Sequence, residues 1–320
     1  MPITDRVLYF CLMNFHYPHK TIEEQIDLLK ERGLKISDEE NAKRILTTVS
    51  YYRLKPFFAA YQPKNDDVFS TGSKLESILD DYYFDREFRI LLFDAIERIE
   101  VALKTQISYH YSTEEPIFLE AGNHFSRYWW YEHSEYFKSR KLRDVFLQKV
   151  DSCRGTNVEK FKDKYFKPIR PPSWMIFENL TMGAISELFE FLKSNEIKNR
   201  ICDFFGIGEQ DVLESWLRSL TYLRNVCAHH NTLINRTFLK YPKYPKYKLE
   251  NWLTNQRQYS NMQIFFSVSC CLYLLKRVNP TSNFAYKVNK LITKYNKVDM
   301  DKLGFHDGWN AEPVWKIFSS

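Results

Sequence analysis

Residues 224–230 read Arg-Asn-Val-Cys-Ala-His-His, and here alone in the chain several reactive side chains crowd into a spacing that suits catalysis. The chemistry these residue types serve is metal-independent cleavage of RNA. A base takes the proton of a 2′-hydroxyl, an acid protonates the leaving oxygen, and a cation stabilises the charged phosphorane. Histidine supplies the first two roles and arginine the third. On a helix Asn225 and His229, four residues apart, share one face, so the amide can hold the imidazole in one orientation and tautomer. Arg224 stands about 100° round the helix from Asn225, and its planar fork suits two phosphate oxygens at once. His230 and Arg236, just beyond, are candidate RNA ligands.

The bare spacing of Arg, a few residues, then His is weak. Arg127 and His133 also satisfy it, but they sit in an aromatic run with a ring, not an amide, directly after the arginine, and we treat that match as coincidence. The match at 224 is distinguished by Asn directly after the arginine, a small Ala before a doubled His, and Asn235-Arg236 beyond. Two other readings compete. Cys227 and His230, three apart, suit a metal, but no second Cys or His cluster completes a tetrahedral set. Alternatively the doubled His simply caps a helix and satisfies its carbonyls.

Lys240 to Lys248 repeats Lys-Tyr-Pro with a period of three, as an extended polyproline-type strand does. Lys240, Lys243 and Lys246 would line one edge and Tyr241, Tyr244 and Tyr247 another, giving charge for phosphates and rings for bases along single-stranded RNA. The competing reading is a stiff loop that packs its tyrosines on the core. Only its position directly after the motif favours RNA.

The elements that must position these residues are helical. Thr21-Ile-Glu-Glu24 reads as a capping box, followed by leucines and Gly33 as a stop; Ser37-Asp-Glu-Glu40 and Ser73-Lys-Leu-Glu76 read as two more starts. Apolar residues then recur at three and four through Leu92, Ile96, Ile99, Leu103 and Ile107, which predicts one long helix or a kinked pair to about Tyr111. Glu97, Arg98 and Glu100 fall on or near its polar edge, read as surface ion pairs in preference to a role beside the catalytic helix. Residues 112–137 form an aromatic-rich connection. From Ser173 the period is helical again, and after Gly208 Val212, Leu213, Trp216, Leu220 and Leu223 form the buried stripe of the motif helix. His229 falls at its C-terminal end, where the helix dipole favours a cation. The expected organisation is a small N-terminal helical unit over 1–70 and a catalytic domain over 71–320, with a basic insertion around 112–172.

Composition sets the bounds. The chain has 320 residues, 44% hydrophobic and 17% aromatic, ample for a packed core. Nine glycines argue against a turn-rich β fold, and there is no nucleotide-binding fingerprint. Asp5 and Arg6 precede Val7 to Phe10 with no basic leader or cleavage site, so no signal peptide is expected. Ile264 to Leu275 is too short to span a bilayer and reads as a buried helix. Cys11, Cys153, Cys202, Cys227, Cys270 and Cys271 are scattered without paired spacing, which fits a reducing, cytoplasmic compartment. The net charge is +6, but residues 138–170 hold eleven Lys and Arg against four acids, which is either a phosphate-binding patch or a solvated helix face.

At the 224–230 motif the chain resembles the Abi-like abortive-infection family of bacteria (AbiD and AbiF type), within the HEPN superfamily of helical ribonucleases. Other segments resemble the family in the same order: Tyr51-Tyr52-Arg53-Leu54 with Pro56-Phe57-Phe58, Asp94 to Glu100 running into Leu103-Lys104-Thr105, and Leu303-Gly304-Phe305 with Trp309. The resemblance implies an all-α, HEPN-type helical bundle and a toxin-like endoribonuclease that uses no cofactor. It implies a homodimer whose site forms where two motifs meet, and regulation by a small structured RNA. The family commonly has an arginine shortly after the doubled His, where this chain has Asn231-Thr232, and Arg236 is expected to take that place. The rival expectation is a non-catalytic helical RNA-binding or interaction module whose HEPN site is unused.

Overall fold

The computed structural model describes residues 19–62, 66–113, 126–165 and 170–316. Asp5 to Phe10, Cys11, Lys167 and Pro168 lie outside the described residues, as does the side chain of Arg127. The fold is all-α: twelve α-helices and several short 3-10 turns, with two isolated bridges and no strand among the described residues. The chain gathers into two compact units that part between Tyr83 and Phe84.

The N-terminal unit starts as its capping pattern dictates. Glu24 N–H donates to Thr21 Oγ1 (3.2 Å) and Thr21 N–H to Glu24 Oε2 (2.7 Å), so α1 (Ile22–Glu31) begins with two of its free donors satisfied. Gly33, at φ 89°, turns the chain out of the helix. The second start lies one residue later than the pattern suggests: Asp38, not Ser37, caps α2 (Glu39–Thr48), accepting from Asn41 N–H at 2.9 Å. The third box does not form. Its Glu76 accepts instead from the hydroxyl of Ser37, so the spare halves of two boxes pair with each other. α3 (Tyr51–Phe58) buries Leu54, Phe57 and Phe58.

The longest element, α4 (Leu75–Thr113), is one unbroken helix of 39 residues. Leu92, Ile96, Ile99, Leu103 and Ile107 are all fully buried, so the period read from sequence is the core face. The rest follows as α5 (Arg140–Ser152), α6 (Thr156–Lys164), α7 (Ser173–Asn179), α8 (Met182–Phe191), α9 (Glu196–Phe204), α10 (Gln210–Ala228), α11 (Ile264–Val278) and α12 (Phe284–Lys294).

α10 is the axis of the second unit, packed against α8, α9 and α11. Its stripe of Val212, Leu213, Trp216, Leu220 and Leu223 is fully buried. α11 is buried on all sides from Ile264 to Leu275, and its polar groups are matched: Ser267 meets Ser219 of α10 hydroxyl to hydroxyl at 3.1 Å, and Ser269 accepts from Trp315 Nε1 at 2.8 Å. Among the described residues no helix is long and apolar enough to cross a membrane. The five described cysteines are free thiols.

Candidate functional site

The last turn of α10 carries the motif. His229 is the C-cap, and His230 follows at φ 57° in the left-handed region. His230 N–H donates to Cys227 O (3.1 Å) and Asn231 N–H to Val226 O (2.9 Å), the paired bonds of a Schellman cap. Glycine is the usual residue at that left-handed position because a Cβ crowds the backbone there. The capping is done by backbone alone. Both imidazoles are exposed, and neither has a hydrogen-bond partner among the described residues.

The chain then turns back under a buried carboxylate. Asp85 of α4 is fully buried; its Oδ1 accepts from the N–H groups of Leu233 (2.6 Å) and Ile234 (3.0 Å), and its Oδ2 from Arg89 Nε (2.8 Å). Burial raises the pKa of this carboxyl, and the two amides and the Arg89 guanidinium pull against that rise. The arrangement pins the segment after the doubled His to the long helix.

Arg224 is held from three sides. Its Nε lies 3.8 Å from Glu100 Oε2, an ion pair rather than a hydrogen bond. Its Nη1 approaches Asn225 Oδ1 at 3.5 Å, and its guanidinium lies 5.5 Å from the centre of the Phe93 ring. Glu100 is itself buried and bound to Lys104 at 2.9 Å. Arg224 thus keeps most of its five N–H donors for a ligand while its stem is fixed. The amide of Asn225 meets the arginine, where the sequence reading had it orient His229.

Glu100 is the residue that sequence reasoning undervalued. Its neighbours on the polar edge behave as surface groups: Glu97 is exposed, and Arg98 pairs with Asp94 at 3.4 Å in solvent. Glu100, in contrast, falls four residues after Ile96 and three before Leu103, inside the core-facing stripe. A carboxylate in that register was the available signal.

The remaining predicted ligands lie elsewhere or are engaged. Arg236 Nε donates to Thr232 O (2.8 Å) and Nη1 to Tyr222 Oη (3.1 Å), tying the loop to α10. The Lys-Tyr-Pro tract follows the motif in sequence but runs to the opposite end of α10. There Lys243 pairs with Asp211 at 3.0 Å and its carbonyl accepts from Trp216, while Lys246 N–H donates to Glu209. That end lies roughly 25 Å from His229 along the helix, by the α-helical rise. Tyr244 packs against Phe266 and donates to Tyr259 O; Tyr241 and Tyr247 are exposed, as is Lys240. Cys227 is buried, with its thiol pushed up to about 12 by desolvation, while His230 faces solvent. Among the described residues no three His, Cys, Asp or Glu gather as a metal site.

The basic segment is more neutral than its composition suggests. Lys138 pairs with Glu214, Arg143 with Asp144, Lys149 with Glu187, and Arg170 grips Asp151 with two parallel bonds of 2.7 and 2.9 Å.

Two substitutions separate folding from function here. Asp85→Ala strands a buried guanidinium and two amides and is expected to lower stability by about 3–5 kcal/mol in urea unfolding. His230→Gly relieves the left-handed Cβ and is expected to raise stability by about 1 kcal/mol; a fall instead would mean that the imidazole itself stabilises the cap.

No curated protein and no solved structure matches the chain. A family model described as Abi-like protein matches residues 44–235, more than half of the sequence. The matched span contains Asp85, Glu100, Arg224, Asn225, His229 and His230, and ends just before Arg236 and the Lys-Tyr-Pro tract. Membership suggests a part in abortive infection, a defence against phage. The chain belongs to the Abi-like protein family.

Proposed function

We propose that the chain is a HEPN-type endoribonuclease effector of abortive infection, cleaving RNA without a metal cofactor at a site completed by a second copy of itself. In the cleavage step the ribose 2′-oxygen forms a bond to the adjacent phosphorus as a histidine takes its proton. The bond to the 5′-oxygen breaks, and a second imidazole protonates it. The products are a 2′,3′-cyclic phosphate and a 5′-hydroxyl. His229 is the general acid/base and Arg224 stabilises the phosphorane; Asn225 and Glu100 are positioning residues that aim the guanidinium. His230 contacts the RNA.

One observation supports this reading above the rest: a guanidinium held by a buried carboxylate stands five and six residues before two exposed imidazoles whose rings take no hydrogen-bond partner among the described residues. A helix that needed only an end would not require any of the three. The need for a second imidazole, and a stripe of exposed apolar residues on α4 beside Arg224, support the second copy. Ile90, Phe93 and Val101 recur at helical spacing with 55%, 37% and 46% of their surface exposed, and Phe93 already touches Arg224.

Purified protein incubated with total RNA in excess chelator should cut it and leave cyclic-phosphate ends, and His229→Ala should lose at least a hundredfold in rate, as expected for loss of a general acid/base. Equal cutting by both proteins would remove His229 from the mechanism. Ile90→Glu combined with Val101→Glu should shift the protein from dimer to monomer in analytical ultracentrifugation and abolish cleavage. A wild-type monomer that still cuts would overturn the composite site.

A further inference from the structure

A second feature of α4 is not used by the cleavage step. Beyond Glu100 the helix flanks a pocket of about 320 Å³, closed on the other side by α7 and lined by Lys104, Thr105, Ser108, Tyr109, Ser112 and Trp174, among others. This volume is at the small end for ligand pockets and suits one planar ring system with its sugar. Tyr109 and Trp174 present large exposed rings, 60% and 46% accessible, and Tyr128 meets Trp174 edge-on at 4.9 Å, which fixes the plane of the indole.

The polar side of the pocket is equally specific. The hydroxyls of Ser108 and Ser112 both meet the buried Ser173 hydroxyl, at 3.2 and 2.9 Å. Each hydroxyl can donate once and accept twice, so this cluster retains hydrogen-bonding capacity for the edge of a ligand. Lys104 joins the pocket to the cleavage site: its ammonium binds Glu100, and Glu100 binds Arg224. Ser108 lies eight residues beyond Glu100, about 12 Å along the helix. Because Asp85 meets the segment after His229 and Glu100 meets Arg224, moving up α4 leads away from His229, so the pocket would take a base farther along the strand than the phosphate being cut.

We propose that this pocket is a nucleobase subsite, which stacks one unpaired base of single-stranded RNA between Tyr109 and Trp174 and so selects where the strand is cut. The proposal rests on the ribonuclease reading of the adjacent site, and it predicts that recognition is by stacking and edge hydrogen bonds rather than by phosphate charge.

The test uses a 2′-O-methyl oligouridine carrying 4-thiouridine, which cannot be cleaved by 2′-hydroxyl attack, with the full-length protein. Irradiation should place cross-links on Trp174 or Tyr109. Trp174→Ala should weaken binding of the same strand by about tenfold, the loss of one base stack, and Trp174→Phe should restore most of it. Tyr109→Ala is the parallel variant, and both positions are exposed enough that helicity should be unchanged. Cross-links confined to Lys240–Lys248, unchanged binding by Trp174→Ala, or no binding at all would overturn the subsite. Pocket cross-links from a protein that leaves natural RNA intact would retain the subsite and sink the nuclease. Cleavage without pocket cross-links would do the reverse.

Discussion

The candidate site depends on one buried carboxylate. Asp85 takes the two amides that the chain presents as it leaves the doubled His and pairs with Arg89 on its own helix, so both of its oxygens face donors. Without those donors a carboxylate at that depth would not be tolerated. Without the carboxylate, the amides of Leu233 and Ile234 would lose their hydrogen bonds to α4 and be left buried. The course of the chain directly after the doubled His is thus set by an interaction more than a hundred residues away in sequence.

The same long helix supplies the second constraint. α4 presents Asp85 to the loop, Glu100 to Arg224 about four turns on, and Lys104 to Glu100 on the next turn, all from one continuous helix. Elements this regular hold side chains more tightly than loops do. An arginine reached by two polar groups and an aromatic ring has little rotamer freedom left to lose on binding a ligand.

Much of this was legible in the sequence. The apolar periods of α4 and α10 gave their core faces residue by residue, and Thr21 with Glu24 gave a true helix start. The misreadings share one cause. Ser37, Ser73 and Glu76 carry the right letters for capping, but a local pattern cannot show that Ser37 and Glu76 meet across a turn of chain. The Lys-Tyr-Pro tract is adjacent to the motif in sequence and remote in space because the chain doubles back along α10. The excess charge of residues 138–170 is answered by Glu187 and Glu214, which lie outside the window in which it was counted. Glu100 was the subtler case, since only its register within the apolar stripe, and not its charge, marked it out.

The left-handed residue at the end of α10 bears on how such a site persists through mutation. Random drift under selection for folding alone favours glycine at position 230 and is indifferent at 229, where the backbone does the capping. Stability therefore offers these histidines little shelter, because the bonds that end the helix use neither side chain. The fold thus makes no demand on the side chain at 229, and at 230 asks only for a conformation that glycine adopts more readily.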